Sequence, residues 1–126
     1  MLNKQEYDDK KLFDDIAENY VKKDLTQYCR IARKQRLVQS LQGIKQPINK
    51  ILEVGCGAGF SVNYLKGKFI NYTGVDYSEN LINYAKKYNS GIGIKFKCSN
   101  INEFDSDIKF DVVLMIGVLH HMPNPE

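Results

Sequence analysis

The sequence has little of what marks secreted, metal-stapled or membrane proteins. Three of its 126 residues are cysteine, Cys29, Cys56 and Cys98, an odd number at wide spacing with no C-x-x-C pair. That spacing argues against a disulfide framework and a zinc site, and fits a reducing, cytoplasmic compartment. The N-terminal stretch MLNKQEYDDKK is charged and has no apolar centre, so no signal peptide is expected. The longest apolar run, Val112 to Leu119, is far shorter than the ~20 residues of a membrane span, so no membrane partner is expected. Repeats, low-complexity tracts and a phosphate-cradling Gly-Lys-Ser/Thr are also missing.

What is there is an ordinary single-domain composition, 26% charged, with a net charge of +3. The charge is uneven. Residues 1–50 carry eleven Lys/Arg against seven Asp/Glu, and residues 51–126 carry seven against eight. Arg30, Arg33, Lys34 and Arg36 hold much of the basic excess. They read as the solvated face of a helix, with an acidic partner as the alternative. Four charges without aromatic or motif support do not make a nucleic-acid surface, and no nucleic-acid partner is expected.

Hydrophobic spacing divides the chain in two. Leu12, Phe13, Ile16 and Tyr20 recur at helical spacing and predict a helix over residues 9–21. Asp24 can cap a second helix, with Leu25, Tyr28, Ala32 and Leu41 as its apolar stripe and Gly43 and Pro47 ending it. From Asn49 the texture changes. Ile51, Leu52 and Val54 form a short buried strand, Phe60 to Lys66 a helix, and Tyr72 to Asp76 a second strand. Ser78 caps a third helix whose buried face is Leu81, Ile82, Ala85 and Tyr88, stopped by Gly91. Ile92, Ile94, Phe96 and Cys98 alternate with polar or small residues, as in a strand near a sheet edge. Phe110 to Ile116 is apolar on both faces, as in a central parallel strand. Strands alternating with helices predict an α/β, Rossmann-like parallel sheet with helices on both faces, preceded by two N-terminal helices. The boundaries read as a helical cap at 1–48 and a ligand-binding half at 49–126.

The strongest local signal is Glu53-Val54-Gly55-Cys56-Gly57-Ala58-Gly59, directly after a strand and opening a helix. Glycines there let the chain turn sharply and let a ligand approach bare backbone. Asp76 ends the next strand, where a carboxylate can accept from two vicinal ribose hydroxyls; the plainer reading is a turn residue before the Ser78 cap. The dinucleotide fingerprint is G-x-G-x-x-G, but Phe60 occupies its third glycine position. Glu53 would repel a pyrophosphate and suits a ligand with a cationic amino group.

Together these segments resemble class I methyltransferases that use S-adenosyl-L-methionine (SAM). Ile51 to Gly59 resembles the family's first motif and Thr73-Gly74-Val75-Asp76-Tyr77-Ser78 its second. Phe110-Asp111-Val112-Val113 with Val118-Leu119-His120-His121-Met122-Pro123 resembles its fourth strand and the segment that follows. Phe13 to Tyr20 resembles the N-terminal helix of the small-molecule, quinone-biosynthesis-like branch. The resemblance implies methyl transfer from SAM to a small-molecule acceptor. It also implies roles at matching positions. Glu53 and the backbone of Gly55, Cys56 and Gly57 would hold the methionine part, Asp76 the ribose, and Tyr77 would lie beside the adenine. Asn100 and Ile101 would meet the adenine edge, although the family commonly has Asp where Asn100 stands. Backbone at Ile116 would face the methionine end and Tyr20 would close over it. His120 and His121 read as capping or structural residues ahead of catalytic ones, and no catalytic residue is named.

The family's sheet has seven strands, so the resemblance implies a domain truncated after the fourth. That strand would then be a bare apolar edge, in a fragment of a longer enzyme or in a homodimer or swapped assembly. The alternatives to an active methyltransferase are a non-catalytic SAM-binding or regulatory module, an inactive fragment, and a nucleotide-sugar or NAD-binding domain.

Overall fold

The computed structural model describes residues 3–5, 7–8, 21–22, 26–104 and 107–116. The expected first helix over 9–21 falls largely outside these residues, as do Tyr20, Asp24, Leu25, His120 and His121.

Helix α1 spans Gln27–Ser40. Its cap is Thr26, whose hydroxyl accepts from the Cys29 N–H at 3.4 Å, two residues after the expected Asp24. Leu37 and Leu41, 1% and 2% exposed, pack inward one turn apart. Tyr28, expected in the buried stripe, is 82% exposed. At 100° per residue it sits opposite Leu37, which the stripe as read had left out. The helix ends at Leu41, and Gly43 follows with φ +82°, a left-handed conformation that glycine adopts without a Cβ clash.

Strand β1 (Ile48–Val54) leads through the glycine turn into a short helix α2 (Ser61–Tyr64), then to β2 (Phe69–Asp76). Helix α2 is shorter than the expected 60–66, because the chain leaves helical geometry at Leu65 and turns at Gly67, φ +78°. Helix α3 (Glu79–Tyr88) is capped by Ser78, whose Oγ accepts from Leu81 N–H at 3.3 Å. Glu79 in its first turn and Lys86 and Lys87 in its last suit the helix dipole. It ends at Asn89, two residues before the expected Gly91, and Asn89 turns inward where Tyr88 was expected. Tyr88 is exposed and lies against Tyr84 with ring centroids 4.6 Å apart. Strand β3 is Ile94–Cys98 and β4 is Val112–Leu114.

All strand pairs are parallel and the order is β3-β2-β1-β4. This is the Rossmann-like order expected, with β3 at an edge as its alternation implied. Ile92 and Cys98 do not keep that alternation: Ile92 stands fully exposed in the turn before β3, and Cys98 is exposed at the strand's end. On one face of the sheet Ile51, Tyr72, Phe96 and Leu114 pack against α1, α2 and α3 through Leu37, Val62, Leu65, Ile82 and Ala85. On the other face Leu52, Val54 and Val75 meet Ile101, Phe104 and Phe110, so among the described residues that face is covered by the β3–β4 connection and not by a helix. A connection this short folds a turn at Asn100 in place of a crossover helix. Strand β4 pairs with β1 alone among the described residues, and Val113 on the second face is 54% exposed. The run read as a central strand therefore lies at an edge of this sheet. Asp111 fixes its start: Oδ2 accepts from Lys50 N–H at 3.0 Å, and its own N–H donates to the Lys50 carbonyl at 2.9 Å.

Candidate cofactor site

The carboxyl ends of β1, β2 and β3 converge on the glycine turn. Gly55 and Gly57 have φ +72° and +57°, and Gly59 has φ +82°. These left-handed positions carry the chain from β1 into α2 without a Cβ clash. Gly59 also permits close approach of the turn to the sheet. A Cβ there would stand 2.7 Å from Phe96 Cζ and 3.0 Å from Ala85 Cβ. Gly74, opposite Glu53 in register, makes room in β2 for the Cys56 side chain, whose Sγ would be 2.9 Å from an added Cβ.

The turn's amides are largely spent internally. Gly55 N–H and Cys56 N–H both donate to the Val75 carbonyl, at 2.8 and 3.1 Å. Gly57 N–H donates to Asp76 Oδ2 at 2.9 Å, and Gly59 N–H to the Cys56 carbonyl at 3.1 Å. The Ala58 carbonyl accepts from Asn89 Nδ2 at 2.7 Å. A phosphate site needs backbone donors aimed at the ligand. Here those donors face inward, and the groups flanking the turn are two carboxylates. The arrangement is suited to a ligand that brings hydroxyls and a cation.

Asp76 has the turn role read from the sequence and also ties down the glycine turn. Its Oδ1 accepts from Ser78 N–H at 2.9 Å, which is the turn role, while Oδ2 anchors Gly57. Tyr77 follows half-buried, its carbonyl accepting from Cys98 Sγ at 3.7 Å. The Ser99 N–H donates to the Asp76 carbonyl at 2.9 Å, which brings Asn100 alongside. Asn100 is buried, and its Oδ1 accepts from Asn102 N–H at 2.8 Å. Ile101 points its side chain to the second face of the sheet, and Ile116 packs against the first-face core. Glu53, Gly55, Cys56, Gly57, Asp76, Tyr77 and Asn100 thus share one end of the sheet, whereas the side chains of Ile101 and Ile116 serve the core.

Glu53 is 1% exposed. Its Oε1 accepts a short hydrogen bond from the Tyr72 hydroxyl, and Oε2 accepts from Ser61 Oγ at 2.9 Å. Ser61 in turn accepts from an Arg33 guanidinium nitrogen at 3.4 Å. Burial raises the Glu53 carboxyl above the ordinary glutamate value, and the Tyr72 hydrogen bond, the Arg33 charge and the Ser61 hydrogen bond pull it back. Burial also raises the Tyr72 hydroxyl well above its usual range, with the Glu53 charge adding to it. The Cys56 thiol is raised well above its ordinary value by burial, then by the Asp76 and Glu53 charges, so it is held as an unreactive thiol.

Sequence reasoning missed Arg33, Ser61, Tyr72 and Asn89. Arg33 had been assigned to a solvated face, but it is half-buried one helical turn before Leu37. Tyr72 had a usable signal: a tyrosine inside a strand on the buried face needs a partner for its hydroxyl, and Glu53 was the acid on that face.

A family model described as "Methyltransferase domain" matches residues 51–126. The chain belongs to this methyltransferase-domain family. The matched span contains every element of the site from Glu53 to Ile116. The ubiquinone biosynthesis O-methyltransferase of Rickettsia conorii is 33% identical over 99 residues, covering 75% of this chain and 34% of that protein. The enzyme of the same name from Rickettsia felis is 29% identical over 120 residues, covering 89% of this chain and 49% of its own length. The chain thus spans between a third and a half of these methyltransferases. Among solved structures, the plantazolicin methyltransferase BpumL in complex with SAH is 29% identical with a TM-score of 0.59, covering 80% of this chain and 40% of that one. The DhpI–SAH complex reaches a TM-score of 0.70 at 16% identity over 91% of this chain and 54% of that one, a likeness of fold.

Proposed function

We propose that this chain is the cofactor-binding part of a SAM-dependent methyltransferase that acts on a small-molecule acceptor. The observation that carries the reading is the glycine turn, whose amide donors face inward while two carboxylates flank it. A SAM molecule offers what such a site lacks: ribose hydroxyls for Asp76 and an ammonium for Glu53. The SAH-bound BpumL complex supports the same ligand class.

In this reading residues 49–126 bind the cofactor and residues 1–48 form a helical cap. The bends at Gly55, Cys56 and Gly57 admit the methionine part against bare backbone. Asp76, at the carboxyl end of β2, accepts from the two ribose hydroxyls. Tyr77 lies beside the adenine, and Asn100 accepts from the adenine amino group with its second lone pair. Ile101 contributes backbone to that edge, since its side chain is committed to the core. Backbone at Ile116 borders the methionine end, and Tyr20 closes over it.

The bound cofactor supplies an electrophilic methyl group on a sulfonium. The chain's residues hold that methyl in place and keep it in line with the acceptor, the largest contribution a protein makes to such a displacement. A base matters only where the acceptor carries a proton that must leave. The relatives' names divide between O- and N-methyl transfer, as in ubiquinone biosynthesis and the probable tetrahydroprotoberberine enzyme of Papaver bracteatum, so the reading stops at a small-molecule acceptor.

The exposed face of β4 supports an assembly reading, in which that strand pairs with a second copy or with further chain. Among the described residues no helix is long and apolar enough to cross a membrane. The odd number and wide spacing of Cys29, Cys56 and Cys98 favour a reducing, cytoplasmic compartment. Calorimetry with SAM, SAH and NAD in parallel tests the cofactor. SAM and SAH should bind and NAD should not; binding of NAD, or full affinity retained by Gly57→Leu, would overturn the reading. Binding without turnover on any acceptor would identify a non-catalytic module. Light scattering tests the assembly, which a monomer at all concentrations would exclude.

A further inference from the structure

Glu53 has a buried apparatus around it that the cofactor reading does not use. Both of its carboxyl oxygens are engaged, Oε1 by the Tyr72 hydroxyl from β2 and Oε2 by the Ser61 hydroxyl from α2. Ser61 has one proton and gives it to Glu53. It can do so because Arg33 of α1 supplies the hydrogen bond that Ser61 accepts. Two elements thus bond the carboxyl directly, and α1 reaches it through Ser61. Among the described residues the charged and titratable groups facing it are Arg33 from α1, Tyr72 and Asp76 from β2, and Cys56 from the glycine turn.

Building on the proposal that Glu53 receives the cofactor's ammonium, we propose that Tyr72 and Ser61 are positioning residues. They hold the Glu53 carboxyl in one orientation with a fixed pair of donors, and Arg33 sets the direction of the Ser61 proton. The energetics support this division of labour. A carboxyl so deeply buried favours its neutral form, and a neutral acid is a poor partner for an ammonium. Hydrogen bonds from Tyr72 and Ser61 and the charge of Arg33 all favour the ionised form. Removing one should therefore not abolish cofactor binding. It should move the pH at which binding develops. Tyr72→Phe keeps the ring and its contacts with Phe69 and Phe96 while removing one donor.

The test is calorimetric titration of the full chain with SAH from about pH 5 to about pH 8. 5′-Methylthioadenosine, which has the adenosine and the sulfur but no ammonium, serves as the second probe. In the unmodified protein SAH affinity should rise with pH. In Tyr72→Phe the midpoint of that rise should move up by about one unit, so that affinity falls about tenfold below the midpoint and recovers above it. Affinity for 5′-methylthioadenosine should stay within about twofold at every pH. A merely structural Tyr72 would weaken both probes alike and leave the midpoint in place, and that result would overturn the inference. Ser61→Ala is read by the same criteria and decides the matter if Tyr72→Phe does not fold. Glu53→Gln separates the two levels. If it leaves SAH affinity unchanged, the assignment of Glu53 to the ammonium fails. If it weakens SAH while neither Tyr72→Phe nor Ser61→Ala moves the midpoint, the positioning role alone fails.

Discussion

Three glycines separate two costs that usually arrive together. Gly43 has φ +82° and nothing within 4 Å of an added Cβ. Gly74 lies in a strand without a positive φ, but its Cβ would meet Cys56 Sγ and Phe96 Cδ1 at 2.9 Å. Gly59 has both problems, φ +82° and a Cβ 2.7 Å from Phe96 Cζ. Alanine at Gly43 should therefore report backbone strain, about 1–2 kcal/mol before the roughly 0.4–1 kcal/mol that alanine recovers by restricting the unfolded chain. Alanine at Gly74 should report overfilling, about 1–3 kcal/mol. Gly59→Ala should carry the sum, about 2–5 kcal/mol before the same recovery, a large share of the ~5–15 kcal/mol that holds a domain together.

Urea unfolding of the three variants measures this directly, provided the slope of stability against urea stays constant. Gly43→Ala should be the mildest and Gly59→Ala the most severe, close to the other two combined. Phe96→Leu should couple with Gly59→Ala and not with Gly43→Ala, because only the former is pressed against the Phe96 ring. The consequence for the site is specific. The glycine turn is built down onto Phe96 and Ala85, so displacing it should disturb the bond from Gly57 to Asp76. A Gly59→Ala variant no less stable than Gly43→Ala would refute the reasoning, since it would mean that the turn does not rest on the sheet as described.

Asp76→Asn replaces an acceptor for two amides with a group that presents an NH2 to one of them. It should cost about 1–3 kcal/mol in urea unfolding and lower SAM affinity at least about tenfold by calorimetry. Asn89→Ala leaves the buried Ala58 carbonyl without its side-chain donor and should destabilise by about 1–3 kcal/mol in the same assay. The pH dependence of Glu53 has a definite sign. Its carboxyl is raised in the folded chain, so its contribution to stability is fully present below the ordinary value of 4.5 and is lost as pH climbs through the folded value. Glu53→Gln removes that slope, so urea unfolding should show the variant gaining on the wild type as pH rises from 4.5. Alkylation followed by mass spectrometry should label exposed Cys98 well before buried Cys56.

The parts of this fold written in local sequence were legible. Ile51, Leu52 and Val54 before a glycine cluster, and Ser78 before the Leu81, Ile82, Ala85 face, fix β1 and α3 through contacts that are short in sequence. Asp76 was legible for the same reason, because a carboxylate at a strand end is constrained by the turn it begins. What stayed hidden depends on long-range geometry. Arg33 lies 28 residues before Ser61, and no period relates a residue of α1 to one in α2 or β1. Asn89 was hidden behind Gly91, the stronger helix-stop signal. The exposure of Val113 agrees with the bare apolar edge expected of the fourth strand: apolarity on both faces shows what a strand can bury, and not which neighbours cover it.

The internal use of the turn's donors also accounts for why the acidic residues sit where they do. A turn that keeps its amides free attracts anions, and two carboxylates beside it would compete with any phosphate. In this chain the Val75 carbonyl and the Asp76 carboxylate take up those amides, so they are not left to attract an anion. The same bond does both jobs at Asp76: accepting from Gly57 orients the carboxylate and takes the amide away. Glu53 follows the same logic at greater depth, with Tyr72 and Ser61 in place of backbone. On the proposed reading, a preference for a cationic nucleoside over a dinucleotide follows from where these donors point.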